Sequence, residues 1–269
     1  MPSAPFDFVM TEHPSWMKAG SVCQRVLVMP DDTRCLVAVE DASLAYTWLD
    51  GDGGLAPVNG FALVGAAVAL PELTSALAGL GRVGRLRNAS LWDAIGTAIL
   101  RQVIRAGQSK KLYRAFCAAH GEQVPLPGGE TYALFPVPEV VLALSDEQFS
   151  ALGMAFKRRP LRAAAGAFLE YGMKWRELSS AALVAELQSV PRIGPWTAGA
   201  AVADYSNDWS LYPYADLAVR TWATRAAPAY DWPQDEPTFG QVWRTLAGDH
   251  LSAITLLTLA WGSQHGDIG

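Results

Sequence analysis

The 269-residue sequence predicts an α+β protein, with a small β-rich domain over 1–85 followed by an all-helical body over 86–269. Three observations carry this. Short apolar runs divided by turn dipeptides fill the first 85 residues. From Leu91 onward apolar residues recur about every four positions. Near residue 190 a turn punctuated by proline and glycine joins two apolar helical segments, giving a helix-hairpin-helix over about 180–205.

In chain order, strands are expected at 23–29 (CQRVLVM), 34–40 (RCLVAVE), 44–50 (LAYTWLD) and 61–70 (FALVGAAVAL), with Asp-Asp and Gly-Asp-Gly-Gly turns between them. Leu91, Ile95, Ile99 and Val103 form the stripe of a first body helix. Further helices are expected over 107–119, 137–144, 146–155, 159–171, 180–189, 195–205, 215–227, 238–248 and 250–263. The segments 121–135 and 228–237, rich in proline, glycine and acids, read as loops.

Composition narrows the function classes. With 51% hydrophobic residues the chain is globular, and its most apolar run, 60–70, is too short to span a bilayer. No secretory leader is visible in MPSAPFDFVMTEH, so a cytoplasmic, nucleoid-associated protein is expected. Cys23, Cys35 and Cys117 lack metal-site spacing, and His13, His120, His250 and His265 read as surface or satisfied residues. The net charge is −5, yet residues 80–120 hold eight basic residues (Arg82, Arg85, Arg87, Arg101, Arg105, Lys110, Lys111, Arg114) against Asp93 alone. Such asymmetry suits a local anion-binding face, although a run of charges is also what a solvated helix shows. A second basic knot follows at 157–162.

The hairpin VPRIGPWTAGAA (190–201) has its own chemistry. Gly194 is expected to permit a tight turn, and Pro195 suits a first helical position. The helix that follows presents free N–H groups and a positive dipole end, a ready site for a phosphate. About twenty residues on, LYPYADLAVRTW (211–222) sets Asp216 after Tyr212-Pro213-Tyr214, at the opening of the next helix. Taken alone, Asp216 reads equally as an N-cap.

Hairpin, aromatic segment and Pro-x-x-Asp together resemble the helix-hairpin-helix DNA glycosylase superfamily. ILRQVIRAGQSKKL (99–112) is similar to its Ile-Leu-x-Gln helix, and 142–169 to its middle segment. LQSVPRIGPWTA (187–198) resembles the bacterial 3-methyladenine DNA glycosylase II branch most closely. The match covers most of 85–265 and is loose over 1–80. It implies a body of two helical subdomains and a monomer acting on double-stranded DNA that holds damaged bases. The chain departs from the pattern at Arg192, where a hairpin glycine is usual. Trp196 stands where members with lyase activity carry a Schiff-base lysine, and no cysteine follows Cys117 to form an iron–sulfur cluster.

The implied activity is base excision repair of alkylation damage without strand cleavage. A damaged base, expected to be a cationic alkylated purine, is flipped out and its N-glycosidic bond hydrolysed. The resemblance makes Asp216 the catalytic carboxylate, stabilising positive charge on the sugar. Val103, beside Gln102, would wedge into the gap, unless it is simply the last core residue of its stripe. Trp196 and Trp261, with Tyr212 and Tyr214, are the candidate base-pocket walls, since an aromatic face attracts a cationic base. Arg192, Gly194, Thr197, Lys110 and Lys111 are candidate DNA contacts. The backbone carbonyls of Gln188, Val190 and Ile193 would hold a structural Na⁺ or K⁺, with no cofactor needed for catalysis. A non-catalytic damaged-DNA sensor and a glycosylase for another lesion remain as alternatives.

Overall fold

The computed structural model describes residues 6–51, 58–63 and 69–266. Strands β1 (Phe8–Val9), β2 (Met17–Ala19), β3 (Val22–Val28), β4 (Arg34–Glu40), β5 (Ser43–Asp50) and β6 (Val58–Phe61) come first. β2 to β5 form an antiparallel meander in which Val26 faces Leu36 and Leu36 faces Thr47. Asp41 and Ala42 both have positive φ (46° and 59°) between the paired Glu40 and Ser43. That is the dihedral signature of the two-residue hairpin turn whose twist suits antiparallel strands. A second sheet, in the order β1-β7-β6, is closed by β7 (Val83–Leu86).

Three expectations shift here. β6 ends at Phe61, and residues 64–68 of the expected 61–70 strand lie outside the described residues. A helix, α1 (Pro71–Ala78), follows with Pro71 at its first position, and Leu73 and Leu77 carry it into the helical core. The expected 121–135 loop contains a hairpin, β8 (Gln123–Pro125) with β9 (Thr131–Ala133). Its Val124, Leu126, Tyr132 and Leu134 pack on Val26, backed by Met17, Val28, Leu36 and Leu49. Gly129, at φ +84°, lies in the turn between them.

The body comprises α2 (Leu91–Arg101), α3 (Ala106–His120), α4 (Pro138–Ala143), α5 (Asp146–Ala151), α6 (Arg158–Arg176), α7 (Ser180–Leu187), α8 (Pro195–Ser206), α9 (Leu217–Ala226), α10 (Glu236–Ala247) and α11 (Leu251–His265). Side-chain caps set several starts: Ser90 accepts from the Asp93 N–H, Ser145 closes a capping box with Gln148, and Ser179 accepts from the Ala182 N–H. α2 and α8 form the heart of the body, every residue of α2 except Arg101 being buried. α8 is lined with small residues, and a Cβ at Gly199 would collide with the Leu211 carbonyl. Among the described residues no helix is long and apolar enough to cross a membrane.

The two helices run antiparallel, since the Asn88 N–H donates to the Asp204 carbonyl at one end and Gln102 reaches Thr197 at the other. At the first end a buried polar cluster joins them to the N-terminal strands. Arg25 of β3 pairs with Asp93 at 3.1 Å, and Arg85 of β7 pairs with Asp204 and with Asn207. The Asn88 amide donates to both aspartates, and Tyr113 donates to Asp93 at 2.8 Å. His13 is thus not a surface residue. Its ring nitrogen Nδ1 accepts from the Ser15 N–H, and Nε2 points at Asp204 and Asp93, 3.6 and 3.8 Å away. Burial, with Arg25 beside it, pushes the imidazole well below its usual range. Burial works against charge on Asp204 too, but the facing His13, Arg85, Arg25 and Asn88 outweigh it and hold that carboxyl low.

Candidate active site and nucleic-acid interface

At the opposite end of the pair, α2 closes in a tight turn. Gln102 (φ −54°, ψ 129°) is followed by Val103 at φ +57°. These are the dihedrals of a type II turn, whose third position ordinarily takes glycine. A β-branched residue there costs about 1–2 kcal/mol. Val103 does not join the Leu91-Ile95-Ile99 stripe, for its side chain is fully exposed. Strain and exposure on one apolar residue exclude the core role and suit a wedge.

The turn is braced from two sides. The Gln102 side-chain amide donates to the Arg192 carbonyl (3.2 Å) and to the Thr197 hydroxyl (2.8 Å). The Lys157 ammonium, 1% exposed, donates to the carbonyls of Ile99 (2.8 Å) and Gln102 (2.6 Å). It adds a charged donor to carbonyls at the negative end of α2, and burial brings its pKa down to about 8. Lys157 escaped sequence reasoning because it stands inside a basic knot whose other members meet solvent. Arg158 and Arg162 pair with Asp146 instead. The half-buried Gln102 side chain and Thr197, 3% exposed, therefore brace the turn.

In the hairpin itself the left-handed residue is Arg192, at φ +71°. Gly194 is extended (φ −88°, ψ 178°), with open space where a Cβ would project. The turn thus rests on Arg192 and not, as the sequence suggested, on glycine's freedom at 194. Open space beside Gly194 leaves room for a phosphate to approach the first turn of α8, which has no side-chain cap and carries Pro195 at its first position. Of the carbonyls expected to hold a cation, that of Val190 accepts the Ile193 N–H at 3.1 Å, while Gln188 caps α7 and Ile193 immediately precedes Gly194.

Asp216 is the N-cap of α9, but its side chain makes no capping bond. Its Oδ2 accepts instead from the Tyr212 hydroxyl at 3.2 Å. That hydroxyl in turn accepts from Arg101 at 3.3 Å, and the Arg101 guanidinium lies 5.8 Å from the centre of the Trp196 ring. Four residues from α2, α8 and the 212–216 turn are brought together. Asp216 and Trp196 are half-buried, so both keep an open side. Tyr212 is 1% exposed, packs on Trp209, and is pushed up to about 12 by burial. It therefore positions the aspartate and is not a pocket wall. Arg101 was legible only as one charge among eight, since nothing in spacing shows which member of a basic run turns inward.

The remaining expectations fare differently. Tyr214 is turned toward α10, where its hydroxyl accepts from Arg244 at 2.8 Å. Trp261 is half-buried on α11 and stacks on His265 at 4.3 Å, so one face of the indole is already covered. Lys111 is exposed on α3, whereas Lys110 is half-buried, its pKa pushed down by burial and by Arg114. The basic run is not one face. Arg85 belongs to the buried cluster, and Arg114 donates to the carbonyls of Pro14 and Trp16.

No family model matches the chain, and no curated protein matches it by sequence. Solved structures do match. A 3-methyladenine DNA glycosylase from Archaeoglobus fulgidus superposes with a TM-score of 0.70 at 19% identity, over 95% of this chain and 92% of that one. MBOgg1, solved in complex with a low-affinity DNA ligand, gives 0.72 at 15% identity, over 97% and 94%. An 8-oxoguanine glycosylase/lyase from Clostridium acetobutylicum gives 0.65 at 14% identity, over 93% and 89%. The chain has the fold of these DNA glycosylases over nearly its whole length, as the hairpin and aspartate segment implied.

Proposed function

We propose that this protein is a monofunctional DNA glycosylase, releasing a damaged base by hydrolysis and leaving an abasic site in an uncut strand. The observation that carries the proposal is Asp216: a half-buried carboxylate at a helix start that leaves its own helix uncapped and is steadied by Tyr212. A structural N-cap would spend its oxygens on the helix. In the proposed reaction the C1′–N bond breaks and positive charge develops on the deoxyribose. The ionised carboxylate stabilises that charge, and water adds at C1′ with loss of a proton. Val103 fills the space vacated by the extruded nucleotide, and Trp196, beside Arg101, forms a wall of the pocket that receives the base.

A phosphate is assigned to the N-terminal turn of α8 beside Gly194, with Arg192 and Lys111 as the exposed cations for the backbone. The carbonyls of Gln188, Val190 and Ile193 are assigned to a structural monovalent cation, for which neutral main-chain oxygens are suitable donors. No step runs through it. We further propose a monomer acting on duplex DNA in the cytoplasm. With Trp196 in place of a lysine, hydrolysis and not Schiff-base chemistry is the route. A purely binding protein has no use for an acid facing a phosphate backbone, which disfavours a damage sensor. Alkylated, deaminated and oxidised bases all fit a stacking pocket, but Arg101 over the same ring weighs against the cationic ones.

The test is single-turnover base release from a panel of lesion duplexes. Asp216→Asn is expected to lower release by about 10²-fold or more while sparing binding to an abasic-site duplex. Release within threefold of wild type would remove Asp216 from the mechanism. Borohydride should trap no enzyme–DNA adduct, and a trapped adduct would overturn the hydrolytic route.

A further inference from the structure

We propose that Arg101 sets the specificity of this site, admitting neutral bases with adjacent acceptor atoms and turning away cationic alkylated purines. The inference rests on the glycosylase function proposed above and goes on to the class of base removed. The guanidinium sits 5.8 Å over the Trp196 ring, so the attraction that a bare indole would offer a cationic base is already used by a protein cation. A second positive charge stacked there would meet like charge in a partly desolvated space, the arrangement that costs most. Arg101 is also permanently ionised, so no pH change relieves that repulsion.

The same group has something to offer a neutral base. A guanidinium carries five N–H donors in a planar fork, and Arg101 gives one of them to Tyr212. A fork of this kind matches two neighbouring acceptors, as it does at O6 and N7 of a purine. Leaving-group chemistry points the same way. When a neutral base departs, the bonding pair stays on its ring nitrogen and the base leaves as an anion, delocalised onto its carbonyl and ring acceptors until solvent protonates it. A guanidinium at those acceptors stabilises the departing charge as it forms. An alkylated cationic base departs neutral and gains nothing from it.

Tyr212 links the two halves of this arrangement. Its hydroxyl accepts from Arg101 and donates to Asp216, so the positive group meant for the base and the negative group meant for the sugar are held in one chain of hydrogen bonds. Held on either side of a single phenol, one group can serve the departing base and the other the sugar. Arg101 is the last residue of α2, immediately before the braced wedge turn. The element that fills the gap in the duplex is thus the one that meets the extruded base.

The experiment compares wild type, Arg101→Gln and Arg101→Lys on duplexes of one sequence. Each duplex carries a single hypoxanthine, neutral with O6 and N7 acceptors, or a single 7-methylguanine, cationic. Single-turnover release is expressed as acceleration over the spontaneous loss of each base. Wild type is expected to accelerate hypoxanthine loss at least 10-fold more than 7-methylguanine loss. Arg101→Gln should lower the hypoxanthine figure at least 10-fold more than it lowers the 7-methylguanine figure. Arg101→Lys keeps the charge without the fork, so it should still reject 7-methylguanine while losing hypoxanthine activity. It also serves as the reporter if the glutamine variant fails to fold by circular dichroism. Equal losses on both bases in Arg101→Gln, or a wild-type preference for 7-methylguanine, overturn the proposal. Binding of the same duplexes is measured in parallel. If no base on the panel is released, the glycosylase function fails. A binding preference for hypoxanthine that Arg101→Gln abolishes would still uphold the selectivity, and equal binding would reject it.

Discussion

At one end of the α2–α8 pair, Asp93, Asp204, Arg25 and Arg85 are buried and bonded to one another. At the other end Arg101, Trp196, Val103 and Arg192 keep open sides, two of them in left-handed backbone. The same two helices thus end in a buried polar lock and in an open, strained face. The lock ties the N-terminal strands to the body, so one end of each helix cannot move independently of the sheet. The open end has an aspartate that does not cap its helix, a helix start without a side-chain cap and an apolar side chain in water. Strain is tolerated only where surrounding structure over-determines it, and here Gln102 and Lys157 supply that support.

The contrast is broken most severely at the lock. Asp204→Ala strands Arg85 in a buried site and should cost about 3–5 kcal/mol in denaturant unfolding. A cost below about 1 kcal/mol would mean that the lock carries no structural weight. Next in size is the pH response. The folded protein keeps His13 neutral, so the unfolded chain takes up a proton that the native state refuses. Stability should therefore rise with pH through the region below about 6.5, by up to about 1.4 kcal/mol per unit. Asp93, pushed up by burial, acts in the opposite sense at lower pH, so the comparison of wild type with His13→Gln isolates the imidazole. An unchanged profile in that variant would count against it.

The smallest effects belong to the open end, and their sign is reversed. Val103→Gly and Arg192→Gly each relieve a left-handed non-glycine residue, at some entropic cost in the unfolded chain. Each should raise stability by about 0.5–1 kcal/mol, a few degrees in Tm. Val103→Gly should at the same time lower base release. A loss of stability in both would show that these side chains pack and are not held in tension.

Much of this contrast could be read in the sequence, but unevenly. The body helices follow from apolar periodicity and from caps such as Ser145 and Ser179, which act within a few residues. Trp196 and Asp216 were legible as a constellation because hairpin and aspartate lie on adjacent segments. Arg101 and Lys157 were not, because their roles depend on partners 111 and 55 residues away, Tyr212 and Gln102. Gly194 was assigned the strained position because glycine is the usual occupant, whereas the backbone places that strain on Arg192. The hairpin at 123–133 was hidden by the proline and glycine that flank its strands, while its alternation of Val124, Leu126, Tyr132 and Leu134 was there to be counted.

That hairpin has a consequence for how the chain is made. Val26, Leu36 and Leu49 present an apolar sheet face whose cover is not synthesised until residues 123–134. On a ribosome adding about 5–20 residues per second, the meander emerges several seconds before its cover. During that interval an uncovered β surface is exposed to other nascent chains. Holding factors at the exit tunnel should therefore act on this protein between the appearance of β5 and of β9.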